Sequence, residues 1–200
     1  MRSLNVTIVG ATGAVGSLFL KLLSDSNLPI ESVRLCASQS SIGKKMEFRD
    51  SALEIQAPDE SAFRGSDLAF ISVNSTVSEE ITPLAIGQGA IVIDDSSAFR
   101  MDPEVPLVIP EVNAQDLNRD HKVIAIPNCV TVPLVMALYP LHRENPVRRV
   151  IVDTYQSVSG SGSKAIDGLK SETTSLLDGH MTPPAVYSHR IGFNVIPQVE

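Results

Sequence analysis

The stretch that decides the fold is "LNVTIVGATGAVGSLFLKLLSDS", residues 4–26. Its first seven residues form a short run that is rich in β-branched side chains, which predicts a strand. In its second half Leu18, Leu22 and Leu23 recur at helical spacing, which predicts an amphipathic helix. A glycine-rich turn joins the two elements. A strand, a turn and a helix in this order are typical of a parallel α/β sheet.

Further apolar runs predict more strands, and a helix that begins near Ser78 separates two of them. The runs are "SVRLCAS" (32–38), "ALEIQAP" (52–58), "SDLAFISV" (66–73), "GAIVIDDS" (89–96), "LVIPEVN" (107–113) and "KVIAIPN" (122–128). Strands that alternate with helices predict a Rossmann-like, doubly wound parallel sheet.

The pattern changes after Asn128, and we predict a domain boundary there, with residues 1–127 as one domain and 128–200 as the start of an α+β domain. A helix to about Tyr139 leads to the β-rich segment "RRVIVDTYQSVSGSG" (148–162), a helix over 164–177 and a last strand in "IGFNVIPQVE" (191–200). Two strands with little to cover them are marginal by themselves, so we expect this domain to be incomplete here.

Composition narrows the class of protein. The net charge of −7 argues against a broad electrostatic hold on nucleic acid. Two cysteines are too few for a disulfide framework and show no metal-ligand spacing. No run is long enough to span a bilayer, and no secretory leader is recognisable. We therefore expect a cytoplasmic protein with reduced thiols, no metal, and neither nucleic acid nor membrane as a partner.

The turn after the first strand carries the pattern G-x-x-G-x-x-G at Gly10, Gly13 and Gly16. Between a strand and a helix, such a turn lets backbone amides approach a pyrophosphate at the positive end of the helix. A turn of purely structural role is the alternative. The candidate cofactor contacts are Gly10, Thr12, Gly13, Ala14, Val15 and Gly16.

The residues after the second strand bear on the choice of dinucleotide. Sites that prefer NAD usually carry an acidic residue there, which binds the ribose hydroxyl. This strand ends in "CAS" (36–38), and Ser38, Ser41 and Lys44 follow as donors for a 2′-phosphate. We predict NADP. NAD stays the alternative, because such a lysine is also common on ordinary solvated surfaces.

Cys129 lies where an apolar strand stops and a helix begins. A thiol at a helix start experiences the helix dipole, which favours the thiolate. Asn128 beside it is suited to cap the helix or to donate its amide to an oxyanion. Most unpaired cysteines are inert packing residues, and Cys36 inside the second strand fits that description. We predict that Cys129 is a nucleophile.

Together these segments resemble the aspartate-semialdehyde dehydrogenase family. The shared motifs follow in the expected order along nearly the whole chain: "VTIVGATGAVG", "IVIDDSSAFRMDPEVPLVIPEVN", "IPNCVT", "TYQSVSGSG" and "FNVIPQ". The resemblance implies a homodimeric enzyme that uses NADP and phosphate to interconvert aspartate 4-semialdehyde and 4-aspartyl phosphate. This step feeds lysine, methionine, threonine and isoleucine synthesis. Residues 1–127 would be its NADP-binding domain, and residues 128–200 would begin its catalytic and dimerisation domain.

The same resemblance implies roles for single residues. Cys129 would attack the acyl phosphate and form a thioester, and Asn128 would lie against the phosphate or the oxyanion. Arg100 would hold the phosphate, and the alternative for it is an ion pair, for example with Asp102. Gln156 would orient the substrate; its alternative is a strand residue that bonds to backbone. Ser159 and Gly160 would lie near the nicotinamide.

Some positions depart from the family pattern. Ser40 stands where the family often has arginine after the second strand, and Val130 stands where serine is frequent. The family's acid–base histidine and a substrate-binding arginine match no residue of this chain, so we expect it to be poorly active by itself. Two other functions stay open: a noncatalytic nucleotide-binding or dimerisation relative, and a reductase of another acyl phosphate or acyl thioester.

Overall fold

A computed structural model describes residues 2–197 of the chain. The described strands are β1 (Leu4–Val9), β2 (Ile30–Cys36), β3 (Lys45–Phe48), β4 (Ser51–Gln56), β5 (Leu68–Ile71), β6 (Ile91–Asp94) and β7 (Val123–Ala125). The described α-helices are α1 (Ala14–Asp25), α2 (Glu60–Phe63), α3 (Ser75–Gly87), α4 (Pro110–Asn113), α5 (Thr131–Glu144) and α6 (Ser163–Leu177).

The strands form one sheet in the order β3-β4-β2-β1-β5-β6-β7. All neighbouring pairs are parallel except β3 and β4, which are antiparallel. The chain winds outward from β1 in one direction to β4 and in the other to β7. This order confirms the predicted Rossmann-like, doubly wound sheet, whose switch point lies between β1 and β5.

The strand register aligns the carboxyl ends of the central strands. Val9 of β1 pairs with Ile71 of β5, Ile71 pairs with Asp94 of β6, and Asp94 pairs with Ala125 of β7. The residues that follow these strands therefore meet at one edge of the sheet. Ligands of open α/β sheets bind at this carboxyl edge.

Two apolar clusters cover the two faces of the sheet, because successive side chains of a strand point to opposite faces. Ile8 belongs to one cluster and Val9 to the other. In the first cluster Phe19 of α1 stacks on Phe70 of β5 with ring centroids 3.9 Å apart. Every residue of both clusters lies between positions 4 and 126, so the core belongs to the first part of the chain.

Two local predictions differ from the structure. Strand β3 was not predicted. In this four-residue edge strand, Lys45–Phe48, exposed Lys45 and Glu47 alternate with half-buried Met46 and buried Phe48, and the alternation is too short to stand out from the polar stretch before it. The strand predicted over 107–113 is wrong beyond its start. Leu107 forms an isolated bridge with Ala125, and Pro110 begins α4. Proline is favoured at the first turn of a helix and has no N–H for a β ladder.

The chain divides into two compact units, and the division along the sequence falls between Val150 and Ile151. In the described part of the second unit, α6 confirms the predicted helix, which starts one residue earlier than expected. The β-rich segment predicted over 148–162 and the strand predicted over 191–197 are wrong, because these segments form no described β ladder. A strand needs a neighbouring backbone to bond to. The rest of the last predicted strand, 198–200, lies outside the described residues, and the boundary at 127/128 stays a prediction.

Candidate active site

The glycine turn follows β1 at the carboxyl edge of the sheet. Gly10 has φ +83° and donates its N–H to Cys36 O at 2.9 Å. A Cβ on Gly10 would collide with Ser72 O beyond β5, and a Cβ on Gly16 would collide with Gly10 O. Backbone packing thus requires both glycines and brings the turn close to β5.

This packing exposes the start of α1. Gly13 is the N-cap residue, and its N–H donates to Gly10 O at 2.9 Å. In any helix the N–H groups of the first turn have no acceptor inside the helix. Here Ala14 and Val15 carry these groups and are exposed, as is Thr12. The turn therefore fits a diphosphate, which backbone N–H groups and the positive end of the helix dipole would hold.

The residues predicted to bind a 2′-phosphate follow β2, but they differ in exposure. Ser38 and Lys44 are exposed, and Ser38 Oγ lies 3.2 Å from Ser40 Oγ. Ser41 is largely buried, and its N–H donates to Ser38 O at 2.8 Å. The structure thus leaves Ser38 and Lys44 on the surface for a phosphate and turns Ser41 inward.

Arg100 lies in the loop after β6 and bonds to two carbonyl groups. Its Nε donates to Ile126 O at 2.9 Å, and Nη2 donates to Asp95 O at 3.0 Å. Among residues 2–197, Arg100 forms no ion pair with Asp102; the salt bridge found in this part of the chain joins Arg2 and Asp67. A guanidinium has five N–H donors, so Arg100 keeps donors for an anion beyond these two bonds.

Asp95 occupies the same edge. Ser72 Oγ donates to its Oδ2 at 3.1 Å. Burial raises the pKa of the Asp95 carboxyl, and neighbouring Asp94 adds to the rise, while the Ser72 hydrogen bond and the Arg100 charge act against it. The carboxyl edge thus holds a guanidinium beside a carboxyl group that is reluctant to ionise.

Asn128 builds the turn that presents Cys129. Its main-chain carbonyl accepts from Thr131 N at 2.8 Å and from Val132 N at 3.3 Å. Its side-chain Oδ1 accepts from Val130 N at 3.0 Å and lies 3.8 Å from the Cys129 Sγ donor. The side-chain oxygen is thereby committed to the turn, which leaves the amide Nδ2 as the group suited to an oxyanion.

The two cysteines differ sharply. Cys129 is exposed on the turn before α5, three residues after Ile126, whose carbonyl binds Arg100. Cys36 is fully buried in β2, and this burial raises the pKa of its thiol to about 12. A thiol acts as a nucleophile only as the thiolate, so Cys36 is unsuited to attack and Cys129 is accessible for it.

The other predicted residues belong to the second unit. Gln156 and Gly160 line one cleft of about 700 Å³, and Tyr187 of its wall donates to Ser161 Oγ at 2.9 Å. Ser159 donates its N–H to Ser157 Oγ at 3.4 Å and is not part of the lining. Gln156 and Gly160 thus share a cavity inside their own unit.

Asp94 and Ser96 also lie at this edge, and neither was predicted as a site residue. The Asp94 carboxyl is fully buried at the end of β6 and accepts hydrogen bonds from Ser78 Oγ and from Ser96 Oγ, the latter at 2.7 Å. The available signal was the polar run "DDSS" (94–97) directly after an apolar strand. Among residues 2–197 no cluster of His, Cys, Asp and Glu suits a metal ion. The described helices are also too short or too polar to cross a bilayer.

Two family models match the chain. The model described as "Semialdehyde dehydrogenase, NAD binding domain" matches residues 5–119, and "Semialdehyde dehydrogenase, dimerisation domain" matches residues 138–200. The chain belongs to the semialdehyde dehydrogenase family. The predicted boundary at 127/128 falls between the two matched ranges. Membership confirms the resemblance and places a nucleotide-binding domain on the glycine-turn sheet.

Individual members of the family are similar over most of the chain. Aspartate-semialdehyde dehydrogenase of Synechocystis sp. is 42% identical over 194 residues, which cover 97% of this chain and 57% of that protein. The crystal structure of aspartate semialdehyde dehydrogenase II of Vibrio cholerae complexed with ASA has a TM-score of 0.94 at 37% identity. It covers 100% of this chain and 60% of its own.

A more distant member is the aspartate semialdehyde dehydrogenase of Candida albicans, whose structure was determined with NADP. It has a TM-score of 0.61 and 25% identity, and the match covers 73% of this chain and 48% of that one. The chain therefore spans between about half and three fifths of the length of these relatives.

Proposed function

We propose that the chain carries the cofactor site and the nucleophile of an NADP-dependent, phosphate-requiring aspartate-semialdehyde dehydrogenase. The reaction interconverts aspartate 4-semialdehyde and 4-aspartyl phosphate. The observation that carries the proposal is the exposed Cys129 on a turn built by Asn128, with the Arg100 guanidinium bonded to the carbonyl of Ile126 three residues before it. Family membership and the relatives named above support it.

In the biosynthetic direction the Cys129 thiolate attacks the acyl carbon of aspartyl phosphate. A C–S bond forms, the C–O bond to the phosphate breaks, and phosphate leaves with the electron pair. The amide Nδ2 of Asn128 stabilises the negative charge on the acyl oxygen, and the Arg100 guanidinium holds the phosphate. When bound, the nicotinamide cofactor supplies the hydride that releases the aldehyde from the Cys129 thioester.

NADP is the proposed cofactor. The first-turn N–H groups of α1 would hold its diphosphate, and Ser38 and Lys44 would receive its 2′-phosphate. The NADP in the Candida albicans structure supports this choice. Titration of the chain with NADP and with NAD tests it: we expect tighter binding of NADP and a loss of that preference in Lys44→Ala. Equal affinities in the unmodified chain would contradict it.

The second unit supplies the remaining proposed parts. Gln156 orients the substrate, and Ser159 and Gly160 belong to the loop beside the nicotinamide. We also propose that the protein acts as a cytoplasmic homodimer in amino-acid biosynthesis; the match to a dimerisation domain supports the dimer. Because the acid–base histidine of the family resemblance has no counterpart here, we expect weak turnover by the 200-residue chain.

The deciding assay measures phosphate-dependent NADPH formation from aspartate semialdehyde, with the chain and with Cys129→Ala. A low rate that requires phosphate and disappears in Cys129→Ala is the expected outcome. NADPH formation that continues in Cys129→Ala would contradict the proposed role of the thiol. Competition assays with other semialdehydes then show whether the site prefers aspartate semialdehyde or the substrate of another acyl phosphate reductase.

Thiol labelling tests the nucleophile independently of turnover. We expect iodoacetamide at pH 7 to alkylate Cys129 and to leave Cys36 unmodified, because Cys36 is buried and its pKa is raised to about 12. Mass spectrometry of tryptic peptides measures both sites, and chain unfolded in urea is the control in which both react. Equal, slow reaction of the two thiols in the folded chain would favour a noncatalytic nucleotide-binding protein.

A further inference from the structure

The buried carboxyl of Asp94 has no role in the chemistry described above. It lies at the carboxyl end of β6 and is fully buried. Burying a carboxyl group is costly unless hydrogen bonds compensate. Here the compensating donors are the hydroxyls of Ser78, on α3, and Ser96, in the loop after β6. The carboxyl thus joins a helix to a loop at the edge where the active site lies.

Ser96 connects this carboxyl to the loop that carries Arg100. Its Oγ donates to Asp94 Oδ2 at 2.7 Å and accepts from Ala98 N at 3.1 Å. The hydroxyl therefore uses both its donor and an acceptor lone pair. These two bonds fix the turn over residues 96–98, immediately before Arg100.

The main chain of the same strand end connects to the other side of the site. Asp94 O accepts from Ile126 N at 2.9 Å, and Ile126 O accepts from Arg100 Nε. Asp95 O accepts from Arg100 Nη2. Both carbonyl groups that hold the guanidinium therefore belong to residues bonded to Asp94, one covalently and one by a hydrogen bond.

We propose that Asp94, acting through Ser96, is the positioning residue for the Arg100 guanidinium and so for the anion bound beside Cys129. The proposal rests on the proposed function, in which Arg100 holds the phosphate. An arginine side chain has many rotamers, and a binding group must be held within about 0.5 Å of its working position. The Asp94 network restricts the loop from which this side chain extends.

A purely structural role for Asp94 makes a different prediction. Loss of the network would then lower the free energy of unfolding without a selective effect on anions near Cys129. A useful readout therefore measures how well the site accepts a negatively charged reagent at the Cys129 thiol, and it is insensitive to changes in the exposure or ionisation of that thiol. The ratio of the alkylation rate constants of Cys129 for iodoacetate and for iodoacetamide has this property, because the reagents are similar in size and differ in charge.

The experiment measures this ratio on the full 200-residue chain, with the Cys129 peptide quantified by mass spectrometry. The variants are Ser96→Ala, Ser96→Thr, Asp94→Asn, Arg100→Ala and the double variant Ser96→Ala with Arg100→Ala. We expect Arg100→Ala to lower the ratio about two- to fivefold, as for a charge that is partly screened by water. Ser96→Ala lowers it in the same direction, and Ser96→Thr, which keeps the hydroxyl, retains the original ratio. Asp94→Asn lowers it less than Ser96→Ala does, because the removal of its negative charge by itself favours iodoacetate.

The double variant decides whether Ser96 acts through Arg100. If it does, Ser96→Ala has no further effect once Arg100 is gone, which is the coupling that a double-mutant cycle detects. An unchanged ratio in Ser96→Ala, or an equal loss in both backgrounds, overturns the positioning role alone. An unchanged ratio in Arg100→Ala overturns the anion role of Arg100 in the proposed function as well. Ser96→Ala decides the question even if Asp94→Asn does not fold.

Discussion

Two glycines show how surroundings, and not only backbone angles, determine the effect of a substitution. Gly10 has φ +83° and Gly43 has φ +82°, so both lie in the left-handed region. A Cβ on Gly10 would collide with Ser72 O, whereas a Cβ on Gly43 would meet no atom within 4 Å. The pair separates the cost of backbone strain from the cost of a steric clash.

We expect Gly43→Ala to lower the free energy of unfolding by about 1 kcal/mol, the cost of a left-handed non-glycine residue. Gly10→Ala adds a clash between backbone atoms that cannot move apart easily, so we expect a loss of more than about 4 kcal/mol or a failure to fold. Urea unfolding of both variants measures the difference. Similar losses would show that the turn relaxes away from β5.

Asp95 provides a pH-dependent prediction at the same scale. The ordinary pKa of an aspartate, 3.8, is that of the unfolded state, and burial raises the folded-state pKa of Asp95 above it. At a pH between the unfolded-state and the folded-state pKa, the folded state holds a proton that the unfolded state has lost. The free energy of unfolding therefore falls as pH rises through this window, and the penalty persists at neutral pH. Asp95→Asn removes the charge and keeps an oxygen for Ser72.

We expect Asp95→Asn to be more stable than the unmodified chain at pH 7, with the difference shrinking as pH falls to 3.8. Asp59→Asn is the control of opposite sign, because the Ser61 hydroxyl, together with the N–H groups of Ala62 and Ser61, lowers the pKa of Asp59. That variant is expected to be less stable at pH 7. The midpoints of urea unfolding between pH 3.5 and 7 test both variants. If Asp95→Asn and the unmodified chain have the same midpoint at pH 7, burial of Asp95 does not destabilise the folded state.

At the scale of elements, helix α6 holds the segment after Arg190 through a single carboxylate. Glu172 is buried, and its Oε2 accepts from Ile191 N at 2.8 Å and from Gly192 N at 2.9 Å. Gly192 packs close to the same helix, since a Cβ there would lie 3.1 Å from the Glu172 Cβ. This contact replaces the strand pairing that sequence patterns predicted for 191–197.

Glu172→Ala is expected to release this segment, because each buried N–H without an acceptor costs about 1–3 kcal/mol. Amide hydrogen exchange at Ile191 and Gly192 should then accelerate by about tenfold or more. Glu172→Gln keeps one carbonyl oxygen in place and should show a smaller effect. Unchanged exchange in Glu172→Ala would mean that packing alone holds the segment.

At the scale of the whole molecule, burial is distributed unevenly between the two compact units. Both apolar clusters lie within the unit that ends at Val150. In the described part of the other unit, the buried side chains are Ala165 and Glu172. A segment that buries so little apolar surface cannot offset the conformational entropy of ordering its chain.

We therefore expect a chain of residues 1–150 to unfold cooperatively in urea and to keep binding NADP, with an affinity lowered by the loss of the proposed nicotinamide contacts of Ser159 and Gly160. A chain of residues 151–200 should show the circular dichroism of a mostly unfolded peptide. The absence of a cooperative transition in 1–150 would show that the first unit needs the second for its stability.

The sequence by itself determined the parallel sheet, the glycine turn, the longer helices α1, α3, α5 and α6 and the two contrasting cysteines. These features follow from local periodicity, turn chemistry and the burial that an apolar strand implies. Edge strand β3 escaped prediction because its alternation of polar and apolar residues spans only Lys45–Phe48. The strands expected in the second unit failed because a strand requires a partner that local sequence does not specify.

Only the tertiary structure decided which side chains meet at the carboxyl edge. Register aligns the ends of β5, β6 and β7, and this alignment brings Ser72 to Asp95 and ties Arg100 to Ile126. These contacts join residues 23 and 26 positions apart in the chain. Sequence periodicity reports which face a side chain points to; it carries no information on strand order or register, and these two properties place Asp94 beneath the loop of Arg100.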